Sequence, residues 1–178
     1  MLTIACVFSG GAYTREHVER LRDLVESHIE QPHRFVCVDD SPFPGWWAKN
    51  SLFEPGRFGG RVLYLDLDTT PVGSLDDLAD WPYPFGAIRD YQFSLKINSS
   101  VMSWDAPACD AIFTKFTPEV MVRLRGDQDW IFETMPAITF PRRWCPSYKA
   151  DVLPHGVPKD ARVIVFHGSP RPWEVPCS

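Results

Sequence analysis

Apolar positions along this chain fall into short runs of two kinds, continuous and helically spaced. Leu2 to Phe8 is a continuous run ending in Ser9-Gly10-Gly11-Ala12, the pattern of a buried strand followed by a turn. From Thr14 to Ile29 the spacing changes. Val18, Leu21, Leu24, Val25 and Ile29 recur every third or fourth residue, which predicts a helix. Thr14 suits the N-cap, although His17, three residues on, is not the Glu or Gln of a capping box. Phe35 to Val38 reads as a second strand running into Asp39-Asp40. A strand, helix and strand of these lengths predict a βαβ unit with parallel strands. Ligands of such sheets gather beyond the carboxyl ends of the strands, where Ser9 and Asp39 fall.

Further on, Trp46 to Phe53 predicts a short helix, and Arg61 to Leu67 a third buried strand. Leu75-Asp76-Asp77-Leu78 opens a surface turn or short helix. Phe85 to Ile88 and Ile97 to Met102 read as strands, Ala108 to Phe116 and Asp127 to Thr134 as helices, and Arg162 to Phe166 as a last strand. Proline is dense from Pro136 onward, so the C-terminal third is expected to be loops around short strands. With 178 residues and no repeat, low-complexity segment or linker, a single domain is expected.

Composition changes this picture little. The chain is 44% hydrophobic and 23% charged, as in ordinary globular proteins. A formal charge of -5 argues against nucleic acid as the partner, because phosphate backbones are held by Lys and Arg. One phosphate pocket stays compatible, since a bound cation can supply local positive charge. The cysteines Cys6, Cys37, Cys109, Cys145 and Cys177 are odd in number and widely spaced, which favours a reducing compartment. Met1 to Val7 lacks a basic leader and reads as a strand, not a signal peptide. No run approaches the roughly 18 apolar residues of a membrane span. A cytoplasmic, soluble protein is expected.

The chemistry concentrates in Val62-Leu63-Tyr64-Leu65-Asp66-Leu67-Asp68-Thr69-Thr70. On a strand, Asp66 and Asp68 share a face while Leu67 turns to the core. Two carboxylates that close repel, and a divalent cation with hard oxygen ligands removes the repulsion. It can also neutralise charge developing on a departing diphosphate. A solvated strand end with two acids is the plain alternative. The same residues also resemble the D-x-D-x-T of haloacid-dehalogenase-like phosphatases, whose first Asp is a nucleophile. That family needs a later acidic motif, and Gly126-Asp127 begins one, but Ile131 takes the place of its last acid.

The stretch continuing through Pro71-Val72-Gly73-Ser74-Leu75-Asp76-Asp77-Leu78 resembles the "YLDLDTVVxGSLDDL" segment of GT-A glycosyltransferases related to family 8. Trp47-Ala48-Lys49, Ile97-Asn98-Ser99-Ser100-Val101-Met102, Gly126-Asp127-Gln128-Asp129-Trp130 and Val165-Phe166-His167-Gly168-Ser169-Pro170-Arg171-Pro172-Trp173 are similar to four further motifs of that family, in its order. The resemblance implies a GT-A, Rossmann-like α/β fold with a mostly parallel central sheet flanked by helices. It divides the chain into a nucleotide-binding part over about residues 1–80 and an acceptor-side part over about 81–178. It implies transfer of a sugar from a nucleotide-sugar donor, UDP-sugar foremost, to a glycan, lipid or protein acceptor, with retention of anomeric configuration. Manganese or magnesium would be held by Asp66, Asp68 and His167.

Under the same resemblance the base and ribose would lie over Phe8, Ser9 and Tyr13, with Asp39 at the end of the second strand. Tyr13 would stack on the base or else pack on the first helix. Lys49 would face donor phosphates or sugar, or be a solvated helix lysine. Leu67 would border the donor, Asn98 would bond sugar hydroxyls or close a strand-end turn, and Gly168 and Arg171 would meet the phosphates. Asp127, Gln128 and Asp129 would flank the transferred sugar as candidate catalytic residues, one of the acids being a helix cap in the plainer reading. His167 lies two positions beyond the family's usual histidine, whose place Val165 takes, and Arg171 replaces the usual Lys. A catalytically silent nucleotide-sugar-binding module is a further alternative.

Overall fold

The computed structural model describes residues 1–93 and 95–175; Cys177 lies outside the described residues. Strand β1 (Leu2–Val7), helix α1 (Arg15–Glu26) and strand β2 (His33–Val38) form the expected unit, with β1 and β2 parallel and in register from Leu2↔His33 to Val7↔Val38. Helix α1 ends three residues before Ile29, where the Ser27 hydroxyl donates to the Asp23 carbonyl at 2.8 Å and competes with the helical ladder. At its start His17 performs the task expected only of Glu or Gln. Its Nδ1 accepts the Thr14 backbone N–H at 2.9 Å.

After a 3-10 helix over Gly45–Phe53 come β3 (Arg61–Leu65), β4 (Thr69–Pro71), α2 (Asp76–Ala79), β5 (Phe85–Arg89) and β6 (Ile97–Asp105). The helices α3 (Asp110–Thr114), α4 (Pro118–Arg123) and α5 (Asp127–Thr134) precede β7 (Ile138–Thr139), α6 (Leu153–His155) and β8 (Val163–Val165). The main sheet has the order β2-β1-β3-β6-β5-β7, and β4 pairs with β8 in a separate two-stranded sheet. Only β6 runs against its neighbours, so the sheet is mostly parallel.

Alternation along the strands explains why the apolar runs are continuous. Ile4, Cys6, Leu63, Leu65 and Val101 bury one face against Leu21 and Val25 of α1. Ala5, Val62, Tyr64, Met102 and Trp104 bury the other against Trp47, Phe53, Ile112 and Trp130. A sheet covered on both sides leaves its central strands β1 and β3 almost wholly buried.

Two departures from the expected pattern bear on function. The third strand stops at Leu65 rather than Leu67, and the Thr69 N–H closes a turn on the Asp66 carbonyl at 3.0 Å. Asp66 and Asp68 therefore sit on a turn between two sheets, not on one strand face. The second departure lies in β6, where Ala87 pairs with Met102 but Ile88 pairs with Asn98. Ser99, Ser100 and Val101 have no partner on β5, and this bulge carries Ser99 and Ser100 toward the end of β3. The Asp66 N–H donates to the Ser100 carbonyl at 2.9 Å.

Candidate functional site

Three adjoining cavities run across the carboxyl ends of β2, β1 and β3. The first, of about 290 Å³, is bordered by Phe8, Ser9, Arg15 and Asp39. The second, of about 450 Å³, is bordered by Ser9, Tyr13, Lys49, Asp66, Leu67 and Arg171. The third, also about 450 Å³, opens over Lys49, Asp90, Asp127, Gln128 and Asp129. Ser9 and Gly45 border both the first and second, while Trp46 and Lys49 border both the second and third. The three are one trench.

At its centre lies a charge cluster built from four chain segments. Lys49 arrives from the 3-10 helix with its side chain 12% exposed, and its Nζ stands 3.0 Å from Asp66 Oδ1 and 3.5 Å from Asp127 Oδ2. It also donates to Ser99 Oγ at 3.2 Å. Burial pulls the Lys49 ammonium down, but the carboxylates of Asp127 and Asp66 outweigh it and lift the group above the ordinary lysine range. The Tyr64 hydroxyl donates to Asp66 Oδ1 at 2.5 Å, and burial followed by the Asp66 charge holds this phenol well above its usual value. Tyr64 lies on the last pleat of the strand before Asp66, and two-residue periodicity along the predicted strand would have placed it beside that acid.

Asp68 is buried beneath Tyr13 and Arg171. Tyr13 donates to Asp68 Oδ2 at 3.1 Å, Arg171 Nη1 donates to the Tyr13 hydroxyl at 3.0 Å, and Arg171 pairs directly with Asp68. Burial raises the Tyr13 phenol, with Arg171 opposing. Tyr13 thus faces the second cavity, its ring edge-on to Trp173 at 6.1 Å. The C-terminal segment reaches the site through Arg171.

On the third cavity, Ser99 Oγ donates to Asp127 Oδ2 at 2.7 Å and the Gln128 amide donates to Asp90 Oδ2 at 3.0 Å. Asp129 is paired with Lys96 at 2.7 Å. Asn98 turns back on its own strand, its Oδ1 accepting the Ser100 N–H at 2.9 Å. Ser99 and Ser100, not Asn98, border the cavity. Asp39 pairs with Arg15, whose guanidinium covers the Phe8 ring at 4.7 Å.

His167 is held elsewhere. Its Nε2 is 2.7 Å from Ser147 Oγ, and its ring stacks on Tyr91 at 5.4 Å. Burial, then the Lys149 charge, lowers its pKa below the ordinary histidine value. Gly168 follows with φ +75 beside Lys149. Asp66, Asp68 and His167 do not come together, and among the described residues no three His, Cys, Asp or Glu form a group able to hold a metal ion. Two carboxylates nevertheless suit magnesium or manganese, which are commonly held by one or two protein acids with the remaining positions on phosphate and water. Both acids are engaged in this structure, Asp66 by Lys49 and Tyr64 and Asp68 by Tyr13 and Arg171.

The Asp76 of the family-like "GSLDDL" stretch has a structural task. Its Oδ1 accepts the Gln31 backbone N–H at 3.2 Å and its Oδ2 the Ser74 hydroxyl at 2.8 Å, clipping the α1–β2 connection.

This fold is shared with solved structures of glycosyltransferases. The structure is similar to the glycosyltransferase GlyE of Streptococcus pneumoniae TIGR4, with a TM-score of 0.66 and 14% identity over 97% of this chain. The apo form of GlyE gives a TM-score of 0.64 at 14% identity, covering 95% of this chain. The chain spans only 56% and 55% of those two GlyE structures. A glycosyltransferase involved in the glycosylation of the major capsid of PBCV-1 matches with a TM-score of 0.60 and 14% identity, over 92% of this chain and 91% of its own. No family model matches the sequence, and no curated protein does. No helix among the described residues is long and apolar enough to cross a membrane.

Proposed function

We propose that the protein is a metal-dependent glycosyltransferase related to family 8, moving a sugar from a nucleotide-sugar, UDP-sugar foremost, to a hydroxyl of an acceptor. The observation that carries this reading is the three-part trench with its charge cluster in the middle compartment. A nucleoside diphosphate sugar has three parts in the same linear order: nucleoside, diphosphate and sugar. The Phe8, Ser9 and Asp39 compartment suits the nucleoside, the Lys49 and Arg171 compartment the diphosphate, and the Asp127 and Gln128 compartment the transferred sugar.

Asp66 and Asp68 would hold the divalent ion, which when bound neutralises charge on the departing diphosphate. Arg171 is matched to Asp68 without donor, and a diphosphate offers its guanidinium a bidentate partner of the same kind. Lys49, fixed between Asp66 and Asp127, keeps its charge near the bond that breaks. Asp127 is held by Ser99 and Lys49 where it borders the sugar compartment. Retention by front-side attack would need no protein nucleophile. The phosphatase reading of Asp66 to Thr70 gains no support: the Thr70 hydroxyl is engaged by Arg20 at 2.8 Å, and Asp66 by Lys49 and Tyr64.

Calorimetric titration with UDP and UDP-sugars, with and without manganese, tests the proposal. Metal-dependent binding that Asp68→Ala abolishes while circular dichroism stays unchanged is the expected result. Binding indifferent to both metal and Asp68 would overturn it.

A further inference from the structure

The third cavity carries a charge that the donor does not use. Arg125, on the connection between α4 and α5, borders this cavity and also a neighbouring one of about 290 Å³. Lys96 and Asp129 border both as well, so the two form a groove leading away from the trench. The other cations of the groove are matched: Lys96 by Asp129 at 2.7 Å, Arg123 by Glu133 at 2.7 Å, and Lys49 by Asp66 and Asp127. The Arg125 side chain makes no hydrogen bond, ion pair or ring contact among the described residues. The same cavity is bordered by Trp46, 61% exposed, whose indole edge packs over Gly126, the residue after Arg125, so closely that a Cβ there would lie 3.3 Å from its Nε1. The third cavity is therefore bordered by an exposed aromatic plane and by an unmatched guanidinium that continues into the groove.

We infer that this groove binds an acidic saccharide as acceptor, its sugar face on Trp46 and its carboxylate or phosphate on Arg125. The inference rests on the sugar-transfer reading above and adds the acceptor's chemistry to it. A planar guanidinium pairs two oxygens of either anion, while an exposed indole gives a pyranose an apolar surface. Attack needs a hydroxyl of this acceptor to reach the sugar compartment beside Asp127, and Lys96, Arg125 and Asp129, which border both the third cavity and its neighbour, put groove and sugar compartment in contact.

Methyl glucuronoside, methyl glucoside 6-phosphate and methyl glucoside, each titrated into the full chain with UDP and manganese present, distinguish the cases. At least one anionic glycoside should bind about tenfold tighter than the neutral one, a factor worth 1.4 kcal/mol. Which of the two does so identifies the anion. Arg125→Ala should bring that glycoside to the neutral value and Arg125→Lys should recover part of the preference, while Trp46→Ala weakens all three alike. Equal binding of charged and neutral glycosides, a preference that survives Arg125→Ala, or no binding of either anionic glycoside at millimolar concentration would overturn the inference. UDP titrated into the same samples separates the two readings: its failure to bind refutes the donor site, whereas lost acid preference with intact UDP binding refutes only the acceptor assignment.

Discussion

Replacing Lys49 by methionine keeps most of the side chain's volume and removes its charge, leaving Asp66 and Asp127 without their shared counter-ion. The side chains of those two acids are 20% and 7% exposed, so neither is readily rescued by water. Removing one partner of a buried ion pair costs about 3–5 kcal/mol, chiefly because the remaining charge is stranded. Asp66 retains the Tyr64 hydroxyl and Asp127 the Ser99 hydroxyl, which puts Lys49→Met at the low end, about 3 kcal/mol. In a chain of this length that is a fall of about 6–12 °C in Tm. Urea unfolding at neutral pH reads the loss directly, and adding Asp127→Asn to the variant should recover about half of it. The pH dependence follows from linkage. Because the folded state holds the Lys49 proton more tightly than the unfolded chain, its contribution is complete below the unfolded lysine value of about 10.4 and declines as pH rises above it. The gap between wild type and Lys49→Met should therefore be constant from neutrality to about pH 10 and narrow beyond. A gap under about 1 kcal/mol would mean a solvated surface pair and would refute the argument.

Three further outcomes are expected. Tyr64→Phe deletes the donor to Asp66 and should cost about 1.5–3 kcal/mol in urea unfolding, as for other hydrogen bonds to charged groups; an unchanged midpoint would contradict it. Gly73→Ala would bring a Cβ to 2.4 Å from the Ala161 carbonyl oxygen, so backbone must move and stability should fall by about 1–3 kcal/mol. Wild-type stability in that variant would show that the loop yields freely. His167, whose pKa lies below the ordinary value, contributes stability that is present above about pH 6.5 and lost as pH falls through its folded value. Thermal unfolding of His167→Gln between pH 7 and pH 5 should lose that part of the slope, and an identical slope would remove His167 as its source.

Much of the sheet was legible because strands covered on both faces are rich in apolar residues, and β1, β2, β5 and β6 each overlap a predicted strand. Helix α5 occupies the predicted residues Asp127 to Thr134. Helix α4 was missed although Thr117-Pro118 is a cap followed by proline at the first turn, a signal that outranks its weak apolar spacing. What a local pattern could not supply is pairing between distant segments. The bulge at Ser99 to Val101 arises in the pairing of β6 with β5, and Ser99 within it meets Lys49 and Asp127 from distant segments.

The C-terminal segment shows where periodicity stops being an argument. Carrying the third-ligand role from Val165 to His167 assumes an extended chain, in which residues two apart share a face. Strand β8 ends at Val165, and Gly168 takes a left-handed φ of +75 that few other residues adopt. The chain therefore changes direction just after His167, whose ring goes to Tyr91 and Ser147. Arg171, beyond the turn, is the residue that comes back to Asp68. Face-sharing holds only within an uninterrupted strand, and a glycine three residues past the last paired position was the mark of its end.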